Sequence, residues 1–218
     1  MKLKTLFLYT MLLIGVGNVY SFDTSLSLDE YLTNLGVTKE QNAGHMKLSP
    51  QYDEKALYYV NLLKMNPSIK RIAEIGFCIG HSSDVYLSAR PDIFMVSFDL
   101  MDHWFNDAGK QYIDLKHVGR HHLVRGDSRT MVPNFINKNQ NEPFDLIIID
   151  GGHEYQVALQ DIINMQPLAG PETILIMDDT EFEPVNRAWK ECIQKGLVEE
   201  LERRTDCDYG WTRGRYLK

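Results

Sequence analysis

From Lys70 to Lys195 short apolar runs alternate with amphipathic stretches, and this alternation restricts the fold more than any other feature of the chain. Strands are expected over 71–77, 93–99, 121–126, 144–150 and 173–178. Helices are expected between them, over 82–89, 107–117, 129–138, 154–165 and 184–195. Parallel neighbours need crossover connections, so strands separated by helices specify an α/β fold: a three-layer, doubly wound, mostly parallel sheet. Val198–Arg204 and Tyr209–Leu217 then close it as an antiparallel C-terminal strand pair, giving a seven-stranded Rossmann-like sheet. The last helix is the clearest: Pro184 suits its first turn, Val185, Ala188, Trp189, Cys192 and Ile193 form one stripe, and Gly196 stands at its C-terminal cap.

The first of these strands carries the most chemistry. Arg71-Ile-Ala-Glu-Ile-Gly-Phe-Cys-Ile-Gly-His-Ser-Ser83 reads as a buried strand that breaks into a glycine turn and opens a helix. Gly76 and Gly80 let backbone approach a ligand, with Phe77 between them, and Ser82 or Ser83 is placed to cap the helix. Further acids fall at or near the ends of the following strands: Asp99, Asp127 beside Ser128, and Asp150 ahead of Gly151-Gly152-His153. In an open parallel sheet the ligand crevice lies at those carboxyl ends.

The acids suit a nucleoside that carries positive charge. Asp99 stands where such folds grip ribose hydroxyls, and Asp127 is placed to accept from an exocyclic amine. Glu74, just ahead of Gly76, would repel a pyrophosphate and welcome an ammonium group. S-adenosylmethionine, with its amino acid portion and sulfonium, is the natural match.

Glu74-Ile-Gly-Phe-Cys-Ile-Gly-His-Ser82, Ser97-Phe-Asp99, Gly126-Asp-Ser128, Ile149-Asp-Gly-Gly-His-Glu-Tyr155 and Met177-Asp-Asp-Thr180 together resemble class I S-adenosylmethionine-dependent methyltransferases. More narrowly, they are similar to the small-molecule O-methyltransferase-like subset with an Asp-Gly-x-His element followed by paired aspartates. The resemblance covers about residues 70–195. It implies S-adenosyl-L-methionine as cofactor, held by Glu74, Gly76, Phe77, Gly80, Ser82, Asp99, Asp127 and Ser128, and a small-molecule acceptor with a hydroxyl group. Metal-assisted members hold Mg²⁺ or another divalent cation at the positions of Asp150, Asp178 and Asp179, where the metal lowers the hydroxyl's pKa. Asp150 and His153 are then the catalytic pair, His153 as general base. Some relatives place an acidic base where this chain has Gly152, and Cys78 occupies a position that is often glycine.

Each acid also has a structural reading. Asp127 with Ser128 suits a helix cap, Asp178-Asp179-Thr180 the polar exit of a strand, and His153 the start of the next helix. Among the aromatics, a loop containing Trp104 is placed to cover an adenine near Asp99.

Outside this unit, Lys2 and Lys4 precede an apolar run from Leu6 to Val16 and a small-residue exit at Val19-Tyr20-Ser21. Residues 1–21 therefore read as a signal peptide cleaved after Ser21, directing the chain to the secretory pathway, with an uncleaved membrane anchor as the alternative. Cleavage implies no stable membrane contact. Residues 22–69 form an N-terminal helical and loop segment, with a helix start at Ser27, a second helix from Asp53 to Met65, and a loop over 41–51 placed to lie over a site. The formal charge of −7 becomes −9 once Lys2 and Lys4 are removed, and no basic cluster offsets it, which excludes nucleic acid as a partner. Cys78, Cys192 and Cys207 form neither a disulfide framework nor a metal-ligand spacing. Such free thiols sit awkwardly with an oxidising compartment, and the leader motivates a second functional reading, a secreted, non-catalytic binding protein that retains the fold.

Overall fold

The computed structural model describes residues 25–42, 54–138, 142–206 and 209–217. The expected leader, most of the 41–51 loop and Cys207 lie outside the described residues. Among the described residues no helix is long and apolar enough to cross a membrane.

The elements run α1 (Leu28–Asn34), α2 (Glu54–Met65), β1 (Arg71–Ile75), α3 (His81–Ala89), β2 (Phe94–Asp99), α4 (Trp104–Lys116), β3 (His121–Arg125) and α5 (Ser128–Lys138). They continue with β4 (Phe144–Ile149), α6 (Tyr155–Met165), a 3₁₀ turn, β5 (Ala169–Asp178), α7 (Glu183–Gln194), β6 (Val198–Arg204) and β7 (Trp211–Tyr216). The seven strands lie in the order β3-β2-β1-β4-β5-β7-β6. β1 to β5 pair in parallel, while β7 pairs antiparallel to both β5 and β6. The doubly wound sheet and its C-terminal antiparallel pair are thus as expected. The winding reverses between β1 and β4, so a ligand crevice belongs at their carboxyl ends.

Alternation along each strand divides the core in two. Ile72, Met95, Leu146, Ile148 and Ile176 face α2, α3 and α4, where Tyr59, Leu63, Tyr86 and Tyr112 cover them. Ala73, Ile75, Phe98, Ile147, Ile149 and Leu175 face α5, α6 and α7, under Val132, Ile162 and Trp189. The stripe of α7 is buried as its spacing predicts, although Ile193 stays partly exposed, and the Trp189 indole N–H donates to Glu200 at 2.8 Å.

Two boundaries differ from expectation. β5 begins at Ala169 rather than residue 173, because Ala169 pairs with Phe144 before the register shifts between Phe144 and Leu146. α4 begins at Trp104 rather than residue 107, because Asn106 Oδ1 accepts from His103 N–H at 2.8 Å while Asn106 N–H donates to the His103 carbonyl at 3.1 Å, which puts Trp104 in a helix and not in a covering loop.

Both N-terminal helices are docked on the main unit. Tyr31 of α1 packs on Tyr112 of α4, and Tyr59 of α2 packs edge-on against Tyr86 of α3 at 4.9 Å. α1 starts with the capping box its sequence announces: Glu30 N–H donates to Ser27 Oγ at 3.2 Å, and Ser27 N–H donates to the Glu30 carboxylate at 2.8 Å. Ser27→Ala is expected to lower stability by about 1 kcal/mol. Urea titration measures this, and hydrogen exchange should show the loss concentrated in α1.

Candidate active site

The turn after β1 is built around two switch-point strands that leave the sheet side by side. Asp150 N–H donates to Ile75 C=O and Gly76 N–H to Phe98 C=O, both at 2.9 Å. Gly76 has φ +100°, and a Cβ there would stand 1.8 Å from the Asp150 carbonyl oxygen. Gly80, at φ +95°, is the N-cap of α3, and a Cβ there would meet the Phe77 ring at 2.8 Å. The close approach that requires both glycines is therefore made by the chain itself.

Glu74 differs from its expected place. Its carboxylate is fully buried and faces no open crevice. It accepts hydrogen bonds from Ser82 Oγ at 2.5 Å, Ser83 Oγ at 3.1 Å and Ser97 Oγ at 2.8 Å. The two helix serines are thus ties from α3 to β1 and not caps. Burial pushes the Glu74 carboxyl up to about 7, against the opposing pull of the three hydroxyls. Ser97 also meets His121 Nε2 at 3.0 Å, and burial drives that imidazole down to about 3, so it is neutral. The Phe77 ring is core, packed on His121 at 5.1 Å, and only its backbone is left for a cofactor.

Asp99 keeps its expected position at the end of β2. One carboxylate oxygen accepts from Cys78 N–H at 2.8 Å and the other from Met101 N–H at 2.7 Å. A carboxylate has about four acceptor sites, so two remain, pre-oriented, for a pair of ribose hydroxyls. Cys78 and Met101 reach these bonds only with left-handed backbone, φ 50° and 56°, a strain of the kind that clusters at ligand sites.

Asp127 takes the capping alternative. It accepts from Arg129 N–H at 2.9 Å and grips the Arg129 guanidinium, which holds its carboxyl below the usual range. Ser128 Oγ donates to Asp161 at 2.6 Å. Asp161 was not expected: it is fully buried on α6, its Oδ2 has no hydrogen-bond partner, and that oxygen lies against Gly151. Burial pushes its carboxyl up to about 6.

The acids after β4 and β5 meet a partner from outside the sheet. Lys55, on the first turn of α2, sends its ammonium to Asp178 Oδ2. Burial alone would push Lys55 down, but Asp178, Asp150 and Asp179 together outweigh it and hold the ammonium above the ordinary lysine range. Asp178 Oδ1 accepts from Asp179 N–H at 2.9 Å, and Asp179 Oδ2 pairs with His153 Nε2 at 2.7 Å. The Asp150 carboxyl is raised well above the usual range by desolvation and by the neighbouring charge of Asp178, with Lys55 pulling the other way.

Asp150, Asp178, Asp179 and His153 are therefore brought together, but not as the expected metal set. Both Asp178 oxygens and one of Asp179 are already engaged, and Lys55 supplies positive charge where the divalent ion was expected. Among the described residues no group of three or more His, Cys, Asp or Glu is disposed to hold a metal ion. These residues do not fit Mg²⁺.

His153 also starts a ladder of near-parallel rings, stacked on Phe182 at 4.9 Å, which in turn stacks on Tyr209 at 4.8 Å. Tyr209 is more than half exposed, so the ladder offers an apolar edge beside the acids. Tyr155 takes no part in it: its hydroxyl bonds Glu191 and its ring lies under Arg187, on the rim between α6 and α7.

The comparisons with known proteins agree with this architecture. A family model for a methyltransferase domain matches residues 73–180, from within β1 to the turn after β5. No curated protein matches the chain. Among solved structures, the chain is similar to the methyltransferase PaMTH1 of Podospora anserina bound to SAH, with TM-score 0.68, 15% identity and 88% of each chain covered. It is also similar to the O-methyltransferase of Bacillus cereus in complex with SAH, with TM-score 0.67, 17% identity, and 87% of this chain and 90% of that one covered. A putative caffeoyl-CoA O-methyltransferase of Staphylococcus aureus aligns with TM-score 0.60 and 21% identity over 76% of this chain and 84% of that one. With the glycine turn, the pinned Asp99 and the switch-point sheet in place, the chain belongs to the class I S-adenosylmethionine-dependent methyltransferases, transferases of one-carbon groups.

Proposed function

We propose that this methyltransferase acts on an oxygen of a small hydroxylated molecule. The observation that carries the reading is the His153–Asp179 pair beside the Asp150 turn. Asp179 engages Nε2 and leaves Nδ1 as the nitrogen able to take a proton, the arrangement by which a carboxylate orients a histidine base. When bound, S-adenosylmethionine supplies a methyl on a sulfonium: an acceptor oxygen forms the new C–O bond while the C–S electron pair stays on sulfur, and the hydroxyl proton leaves to the base. Asp99 would hold the ribose, the backbone from Gly76 to Gly80 the amino acid portion, and Ser128 with Asp161 the adenine end. The likeness to structures described as O-methyltransferases supports the choice of oxygen. The edge formed by His153, Phe182 and Tyr209 suits a flat or partly apolar acceptor.

Calorimetry with S-adenosylmethionine is the direct test, on the chain starting at Phe22. Asp99→Ala should weaken binding by about 10- to 100-fold, the range for losing hydrogen bonds to a charged group. A folded chain that binds no S-adenosylmethionine ends the reading. The N-terminal run is proposed to direct export, and sequencing the exported chain should find Phe22 first. A chain that retains Met1 and stays with the membrane would establish the anchor instead.

A further inference from the structure

We propose that Lys55 is the resident cation of the transfer site, standing where metal-assisted relatives carry a divalent ion, so that this enzyme works without metal. The proposal rests on the methyl-transfer reading for its activity arm and on the geometry of this chain for the rest.

Asp150, Asp178 and Asp179 come from the ends of adjacent strands, and carboxylates so close repel unless a cation or protons intervene. Here the cation is covalently part of the chain. The Lys55 side chain is 22% exposed and that of its partner Asp178 1%, so the pair is sheltered from solvent screening. Lys55 is also not a wandering surface lysine. Its neighbours on α2 are locked in place: Ala56, Tyr59, Leu62 and Leu63 are buried, and Tyr58 packs on Trp211 at 4.3 Å. Trp211 is the β7 residue paired with Asp178, so one contact fixes the base of the lysine relative to the carboxylate that it meets.

A divalent ion would have to displace this ammonium from Asp178 and the imidazole from Asp179. The consequence for the reaction is a single positive charge, held beside the acceptor oxygen and orienting it, that exchanges no atom during transfer. Lys55 is in this sense a positioning residue.

Calorimetry with Mn²⁺, which binds such ligands more tightly than Mg²⁺ does, tests the proposal on the full chain after dialysis against EDTA. The wild type should show no saturable binding into the millimolar range. Lys55→Met, which keeps length without charge, should bind one Mn²⁺ at least about ten times more tightly, and Mn²⁺ should raise its melting temperature but not that of the wild type. A Lys55→Met chain that folds only with Mn²⁺ present supports the proposal equally. Stoichiometric Mn²⁺ binding by the wild type overturns it, as does a Lys55→Met chain that is indifferent to Mn²⁺ or stays unfolded in its presence. In the activity arm, EDTA should leave the wild-type rate unchanged, and a rate lost to EDTA and restored by Mg²⁺ also overturns it. Should the wild type fail to bind S-adenosylmethionine, the assigned function fails while the Mn²⁺ titrations still decide the role of Lys55.

Discussion

Gly76→Ala is expected to cost the protein more than about 4 kcal/mol of stability or to leave it unfolded, a loss well beyond that of ordinary substitutions. Two penalties combine. The backbone at φ +100° is strained for any residue with a Cβ, and the added atom would sit 1.8 Å from the Asp150 carbonyl oxygen. That oxygen is backbone, held by Asp150 N–H donating to Ile75, so it cannot yield without parting β1 from β4 at the switch point. Gly36 separates the two terms, since it has φ +85° and nothing within 4 Å of a Cβ. Gly36→Ala should therefore lose only the conformational part, about 1–2 kcal/mol. Urea denaturation of both variants decides the matter: similar midpoints would mean that the overlap at Gly76 relaxes cheaply, without parting β1 from β4.

The fold was legible because its signal is repetitive. Apolar runs such as Leu146–Ile149, separated by amphipathic helices, admit little besides a parallel sheet, and the stripe of α7 marks its buried face in the sequence itself. The acids were legible by position but not by direction. A strand alternates faces, so the sequence places Glu74 two residues before Gly76 without saying whether its carboxylate meets ligand or the serines of α3 and β2. Lys55 escaped because it lies far from the acids in sequence, and the contact exists only once α2 docks. A signal was nevertheless present. Lys55 lies four residues before Tyr59 and seven before Leu62, on the buried face of α2, and Asp161 interrupts the buried stripe of Ala158, Ile162 and Met165 on α6. A charged residue inside an apolar stripe is a local conflict, and such conflicts collect at functional sites.

Glu74 should contribute strongly to the response of stability to pH. Burial holds its carboxyl at about 7 in the fold, against 4.5 ordinarily, which corresponds to about 3 kcal/mol for a group with no exposure to solvent. Below pH 4.5 the carboxyl is protonated in both states and the contribution is fully present. Between 4.5 and 7 the unfolded chain has released the proton that the folded chain retains, so stability declines as pH rises, and above 7 the loss is complete. Glu74→Gln removes the titration while keeping an acceptor for the serine hydroxyls. The difference in unfolding free energy between wild type and Glu74→Gln should therefore move by about 3 kcal/mol against the wild type between pH 4.5 and 8. Other groups titrate in the same window, but they are common to both chains and cancel. Urea titrations at several pH values give this difference directly, and parallel curves would show that the serine hydroxyls hold Glu74 ionised in the fold. In that case β1 and α3 would be tied by a buried anion throughout the window, with the proton playing no part.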